Sequence, residues 1–547
     1  IAKRLVGLLG SRVAERAVRV LSAISDMCFE NVANQIAIAK AAGISPLITW
    51  MSGGLDRFGF SPEAQREAAR ATLAVASNNA TTQMLIAKFG GIPQLIELVG
   101  KWQNDRQVYT QPDTQVLAAR ALWHVAGSND NKMMIAEAEG IKPLVAMLSA
   151  EEAHSQELAA VVLARLSRQN AIVQVKISEA GGIEPLVRLI REGPSNIAQL
   201  QAAAAIAEVA HVPATRDAIA EAGGIEPLVT CLSSTVAGTP ETAALALARL
   251  ARDDVDSGED GGAEPEGEPP AVPIEKPGAV RRASIKAAGG VTKLVSMLEQ
   301  RSFPGMAKQM WKMVAIVMGI QNLTEDDVRV KEHMNIGVQE QVAATICDLT
   351  YGDVTMQDTV IEEQGIPELL GLLRLGSQLG QEYAARALWH LCASVHNQGT
   401  VVDEGSIVEL VALSRIGSEK AQELAAAVIS SLASGAIVER ERKQKEAAAA
   451  RAAAGIDADA PAEAEPEQPE VAPATDEAGM PVVKVARGDR LAAIAAAGGI
   501  VPLVGLLSVG SLMGKERAAG ALWHLSVDAV NRMIIAKAGG IAPLVQL

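Results

Sequence analysis

The run Ala118-Ala119-Arg120-Ala121-Leu122-Trp123-His124 constrains this chain more than any other feature, because the chain writes it three times. It returns as Ala384-Ala385-Arg386-Ala387-Leu388-Trp389-His390 and as Ala518-Ala519-Gly520-Ala521-Leu522-Trp523-His524. The first and last copies also share a tail. Asn131, Ile135-Ala136, Gly140-Ile141 and Pro143-Leu144-Val145 answer to Asn531, Ile535-Ala536, Gly540-Ile541 and Pro543-Leu544-Val545. A unit of this kind cannot bury its apolar side alone and must stack on its neighbours, so recurrence decides the architecture.

The marker of the unit is Gly-Ile or Gly-Val, usually followed by Pro and Leu-Val. It occurs at Gly43-Ile44, Gly91-Ile92, Gly140-Ile141, Gly182-Ile183, Gly224-Ile225, Gly290-Val291, Gly365-Ile366, Gly499-Ile500 and Gly540-Ile541. Several of these lie 41 or 42 residues apart, within the about 40–47 of helical solenoid repeats. A short apolar helix ends at the glycines, where a residue without Cβ can take the left-handed conformation that closes a helix. Pro sits in the first turn of a second short helix. A longer third helix follows, such as 156–167, with apolar residues at helical spacing. Three helices per unit, each unit leaning on the last, make an all-α solenoid.

Leu5-Val6-Gly7-Leu8-Leu9 matches Leu503-Val504-Gly505-Leu506-Leu507. The first unit is therefore expected to lack its first helix, and the last to stop short at Leu547. The opening residue is Ile1 rather than Met, as expected for a piece of a longer protein. Repeats are expected over 1–252, 281–434 and 489–547, with one degenerate unit at 325–350 that lacks the marker and its first helix. Residues 253–280 combine Gly, Pro, Asp and Glu and read as an acidic disordered linker. Residues 435–488 open with Glu439-Arg440-Glu441-Arg442-Lys443-Gln444-Lys445, which prolongs a helix by several turns, and then become acidic and Pro-rich. Stacking is expected to resume beyond each, because a long insertion adds little closure entropy.

Composition agrees with this and closes off several functions. Hydrophobic residues make up 49% but aromatics only 3%, a small-aliphatic mix that suits close helix packing better than sheets. The net charge of −15 is local: 253–280 and 455–480 each carry −8, leaving the remaining chain at about +1. With no basic stripe interleaved with aromatics, nucleic acid is not an expected partner. Cys28, Cys231, Cys347 and Cys392 lie far apart without a CxxC pair, which fits buried thiols in a reducing compartment. The longest apolar run, 424–438, holds three serines and falls short of the about 18 residues that a membrane helix needs. No phosphate loop, nucleophile elbow, HExxH or pair of catalytic carboxylates stands out. The expectation is a non-enzymatic protein without cofactor or metal.

The unit resembles the armadillo repeat, in the form NxxxIxxAGGIxPLVxLL followed by AAxALWxLS, and the wording ALWxLS is most similar to vacuolar-eight-type arrays of plants, fungi and protists. The resemblance covers nearly the whole chain outside the two linkers. It implies a right-handed superhelix of about ten three-helix repeats whose third helices line a concave groove for other proteins. In the family an Asn near the end of each third helix often clamps an extended peptide. Asn322 matches that Asn outright; the aligned positions elsewhere hold His124, Arg165, Glu208, Arg249, Asp348, His390, Ser431 and His524. Since Arg only donates and a carboxylate only accepts, a uniform backbone ladder does not follow. Import carriers also place Trp four residues earlier, where this chain has Arg120, Met318, Arg386 and Gly520, so the resemblance does not extend to nuclear-import receptors.

The Trp-His pairs invite a metal reading, but units stack about 8–10 Å apart while zinc ligands converge to about 2 Å. The structural reading is that Trp123, Trp389 and Trp523 pack in the core or groove wall with the histidines lining the groove. Arg120 and Arg386 stand one turn before a histidine and share its face, either gripping acidic or C-terminal groups of a partner or simply solvated or paired within the chain. Arg281-Arg282-Ala283-Ser284-Ile285 has the form of a basophilic kinase site with Ser284 as acceptor, although Ser284 aligns with the apolar Ile534 and a partly buried side chain is the alternative.

The functional expectation is a protein-binding scaffold or adaptor that captures extended or helical segments of other proteins in the groove, with the acidic linkers as tethers or competitors. Two alternatives remain open: a structural array, axoneme-like or joined end to end through uncapped ends, and the substrate-binding region of a larger ubiquitin ligase. A cytoplasmic location is expected, with the nucleus, the vacuole or the cytoskeleton as alternatives.

Overall fold

The computed structural model describes residues 1–10, 13–52, 61–100, 112–253, 278–298, 325–453 and 489–547. The described residues form 31 helices and no strand. They fall into two compact units, Ile1–Asp256 and Ser257–Leu547. Asn322 and most of both acidic segments lie outside the described residues.

In the first unit, Ala2–Leu9 and Ala14–Cys28 precede five complete three-helix repeats at 32–76, 80–125, 129–167, 171–209 and 213–251. Each third helix packs on the next: Ala14–Cys28 on Pro62–Ala76, that on Pro112–Val125, then Ala153–Ser167, Asn196–Val209 and Thr239–Ala251. The contact surface is built from small side chains. Ala118, Ala119, Ala121 and Leu122 are fully buried in one of these helices, and Ala202, Ala203, Ala205 and Ile206 in another. Alanines let the backbones approach closely at little entropic cost.

The Gly pairs divide their labour. The first residue of the pair takes the left-handed conformation at Gly90, Gly181, Gly223, Gly289, Gly498 and Gly539, and there Ala42, Glu139 and Gln364 can stand in. The second has ordinary helical angles but no room: a Cβ on Gly182 would lie 2.8 Å from Ile177 Cγ2 and 2.9 Å from the Ile177 carbonyl oxygen.

Polar residues finish the helix ends. Asn31, Asn79, Asn170 and Asp353 cap first helices with their side chains. A glutamine on the first helix then donates to an otherwise orphaned carbonyl at the end of the preceding third helix. Gln35 reaches Cys28 O at 3.1 Å, Gln83 Ala76 O at 2.9 Å, Gln174 Ser167 O at 2.8 Å and Gln357 Thr350 O at 3.0 Å.

The second unit departs from the expected register. Ala279–Ala287 and Gly290–Leu298 are the first two helices of a repeat, and the C-terminal half of Glu325–Thr350 is its third. Arg282 on that first helix pairs with Asp353, the cap of the next first helix, at 2.8 Å. This is the place where Asn79 bonds Gln35 at 3.0 Å in the first unit. Thr292 likewise bonds Glu363 at 2.9 Å. The stretch 325–350 is therefore not a degenerate repeat of its own. A single repeat spans 279–350, with its extra length between second and third helices.

Repeats follow at 354–391, 395–434 and 490–525, and then the helices Ala529–Lys537 and Ile541–Gln546. Stacking does resume across 435–488. Ser511 caps its own helix and donates to Glu423 at 3.3 Å, as Ser195 does to Glu157 at 2.5 Å and Ser418 to Glu382 at 2.6 Å in ordinary neighbours. The third helix Glu419–Ala453 runs on well past the usual stop. Its exit is tied down by Glu439, which pairs with Arg490 at 2.9 Å. Part of this helix, Glu419–Ala450, is long and apolar enough to cross a membrane, contrary to the expectation from its sequence. Its apolar half is instead packed between Gln378–Leu391 and Leu512–Leu525.

Candidate partner-binding face

The third helices present the same positions in register, so each unit carries a face made from consecutive helix ends. In the first unit, Arg120 is exposed and makes no hydrogen bond or ion pair among the described residues. One turn on, His124 is half-buried and sits edge-on to Trp123, centroids 4.8 Å apart. Burial and the charges of Arg165 and Arg120 hold its pKa below the usual imidazole value, which keeps the ring neutral. Arg165 comes from the next repeat and lies over the Trp123 ring at 4.1 Å, a cation–π contact. Two repeats further, Arg249 reaches back to Glu208 at 3.5 Å and to the Ala207 carbonyl at 2.5 Å.

The face of the second unit is more closed. His390 is only 9% exposed, so it does not line a groove. Its Nδ1 lies 3.1 Å from the Cys347 carbonyl oxygen, and Tyr351 packs edge-on at 5.3 Å. A helix of small residues at 347 and 350 makes a slot into which the ring sinks; burial pushes its pKa down to about 4. Arg386 and Asp348 are half-buried. The Ser431 hydroxyl is turned onto its own helix, donating to Ala427 O at 3.2 Å. His524 Nδ1 lies 3.4 Å from Ser430 Oγ, and burial lowers its pKa.

Trp389 is covered by Arg517 at 4.9 Å, whereas Trp523 is 72% exposed. The Trp–Arg pairs join residues of different repeats, so no motif that runs along the chain announces them. No cluster of three metal-ligating side chains occurs among the described residues.

Ser284 is exposed rather than partly buried, and its hydroxyl donates to Val280 O at 3.0 Å within a helix. Arg281 and Arg282, which a basophilic kinase would read, are 1% and 2% exposed. The arginines that define the motif are thus spent on the core.

The fold and this face define an α-solenoid of stacked three-helix repeats. Stretches 128–168, 213–252 and 491–527 match the armadillo/beta-catenin-like repeat family. These stretches are armadillo-type repeats, set in a solenoid of the same helical layout. An engineered protein whose crystal structure was solved by the Northeast Structural Genomics Consortium is similar in fold, with a TM-score of 0.70 at 23% identity, covering 96% of this chain and 98% of that one. A designed armadillo repeat protein aligns over 46% of this chain and 100% of its own, at 22% identity and a TM-score of 0.41. No curated protein matches the chain.

Proposed function

We propose that the chain is a non-catalytic scaffold whose third-helix faces hold extended or helical segments of other proteins. The observation that carries this reading is the alignment of consecutive third-helix ends into one face, with Arg120, Trp123, His124 and Arg165 presented together from two repeats. Armadillo repeats commonly serve as protein-interaction scaffolds, and a row of aromatic and arginine side chains is the composition that dominates protein-binding surfaces. All four cysteines are reduced and buried, which supports a cytoplasmic or other reducing location.

The test is site-specific photo-crosslinking in the source cells. A benzoylphenylalanine in place of Arg120, or of Arg386 in the second unit, should trap a discrete set of partners. The same probe at Lys88 on a first helix should not. Equal capture from both positions, or capture from Lys88 alone, rules the reading out.

A further inference from the structure

Building on the reading that third-helix faces hold partner segments, we propose that Arg120, Lys132, Arg165 and Arg168 together bind a phosphorylated serine or threonine of such a segment. The four cations converge from three helices of two adjacent repeats. Lys132, on the first helix Asn129–Glu137, places Nζ 2.6 Å from the backbone carbonyl of Arg168, just beyond the third helix of its own repeat. Arg165, one turn before Arg168, lies over Trp123 of the preceding repeat. Arg120 shares the face of Trp123 and His124.

The charge of this cluster is not neutralised. Arg120 and Arg168 are exposed, and their guanidinium groups meet no acceptor among the described residues. The Nε of Arg165 is buried without a partner. The acid within reach is Glu208, which is shared with Arg249 at 3.5 Å and with the Gln169 amide at 3.4 Å. Neighbouring arginines show the contrast: Arg66 and Arg70 both pair with Glu67 at 3.3 Å, and Arg70 also with Asp26 at 2.6 Å.

The like charges of the cluster act against one another. After burial, Arg165 and Arg168 lower the pKa of Lys132, and Arg168 lowers that of Arg165. Compensation of a helix C-terminus explains Lys132, whose ammonium donates to the carbonyl of the C-cap Arg168. It leaves the outward guanidinium groups of Arg120 and Arg168 without a role.

One carboxylate would leave most of this charge standing. A phosphate carries about −1.5 to −2 at neutral pH and offers three acceptor oxygens to forked donors. Trp123 beside it supplies an apolar platform for the residue next to the phosphate.

The experiment uses the full chain and fluorescein-labelled peptide pools with a central phosphoserine in degenerate surroundings. Control pools carry Ser or Asp at the centre, and a single-stranded oligonucleotide is the polyanion control. By fluorescence anisotropy the phosphoserine pool should bind about tenfold or more tightly than either control pool. The double variant Arg120→Gln/Arg168→Gln should lose that preference with its melting temperature unchanged. Equal binding of all pools, a preference that survives the double variant, or an oligonucleotide that binds as tightly and is lost in the same variant overturns the inference. Partners that still cross-link at Arg120 in cells, with no phosphate preference in the pools, would retain the scaffold reading and discard the phosphate site.

Discussion

Arg282 and Asp353, 71 residues apart, form an ion pair of 2.8 Å in which the guanidinium side chain is 3% and the carboxylate side chain 15% exposed. Asp353 also caps its own helix, accepting from Met356 N at 3.1 Å. One carboxylate thus closes a helix and joins two consecutive first helices. Removing either partner leaves a charge stranded in the stack, at a cost of about 3–5 kcal/mol. Arg282→Ala should lower the melting temperature of the full chain steeply, as followed by circular dichroism. Asp353→Asn should cost less, because it keeps a cap.

The same pair joins first helices that flank the chain between Leu298 and Gln339. In the repeat at 354–391 the second helix Gly365–Leu375 is followed almost at once by the third, Gln378–Leu391. Replacing residues 301–334 by a short Gly/Ser connection should therefore leave a folded second unit. Shortening the connection should gain about 1–2 kcal/mol of closure entropy. A melting transition at or above that of the parent is the expected result. Loss of cooperative unfolding would show that 279–298 and 339–350 do not belong to one repeat.

How far the letters could be read depends on whether the information was local. The Gly-Ile marker, the Pro after it and the Ala-rich third helices depend on neighbours a few residues away, so helix order and stacking were legible. The register at 279–350 was not, because the Arg282–Asp353 contact that shows which first helices are consecutive joins residues far apart in the chain. Of the proposed face, Arg120 and His124 were found as a local pair. The stacking of Arg165 on Trp123 and the burial of His390 against the Cys347 carbonyl join separate repeats, and no spacing within one unit announces them.

The two glycines of a pair should respond differently to the same change. Gly181 is left-handed, at φ +71°, with open space where a Cβ would stand; Gly182 faces Ile177 atoms at 2.8 and 2.9 Å and Val145 at 3.1 Å. Gly181→Ala meets only backbone strain, about 1–2 kcal/mol. Gly182→Ala forces apart the turn between Ala171–Glu179 and Ile183–Glu192, in the range of about 1–3 kcal/mol or more for overpacking, and it also pushes against the preceding repeat. Urea unfolding should rank Gly182→Ala as the more damaging, and Gly181→Asn as the mildest. The reverse order would mean that the second glycine is tolerated for reasons other than space.

His390 makes stability depend on pH in a definite direction. Its pKa is about 4 in the folded chain against 6.5 for a free imidazole, chiefly because burial disfavours the cation, and Arg386 adds to the effect while the hydrogen bond to the Cys347 carbonyl opposes it. Between these values the unfolded chain binds the proton and the folded chain does not. Stability therefore is full above about 6.5 and falls as the pH drops toward about 4. At 9% exposure the whole swing is of order 3 kcal/mol, at about 1.4 kcal/mol per unit. His390→Leu should flatten this part of the profile while lowering stability at neutral pH, since the Cys347 carbonyl loses one of its donors and keeps only Thr350 Oγ1 among side chains. Melting curves between pH 4 and 8 on both proteins decide it: parallel profiles would show that the slope belongs to other groups, with half-buried His124 and His524 the next to substitute.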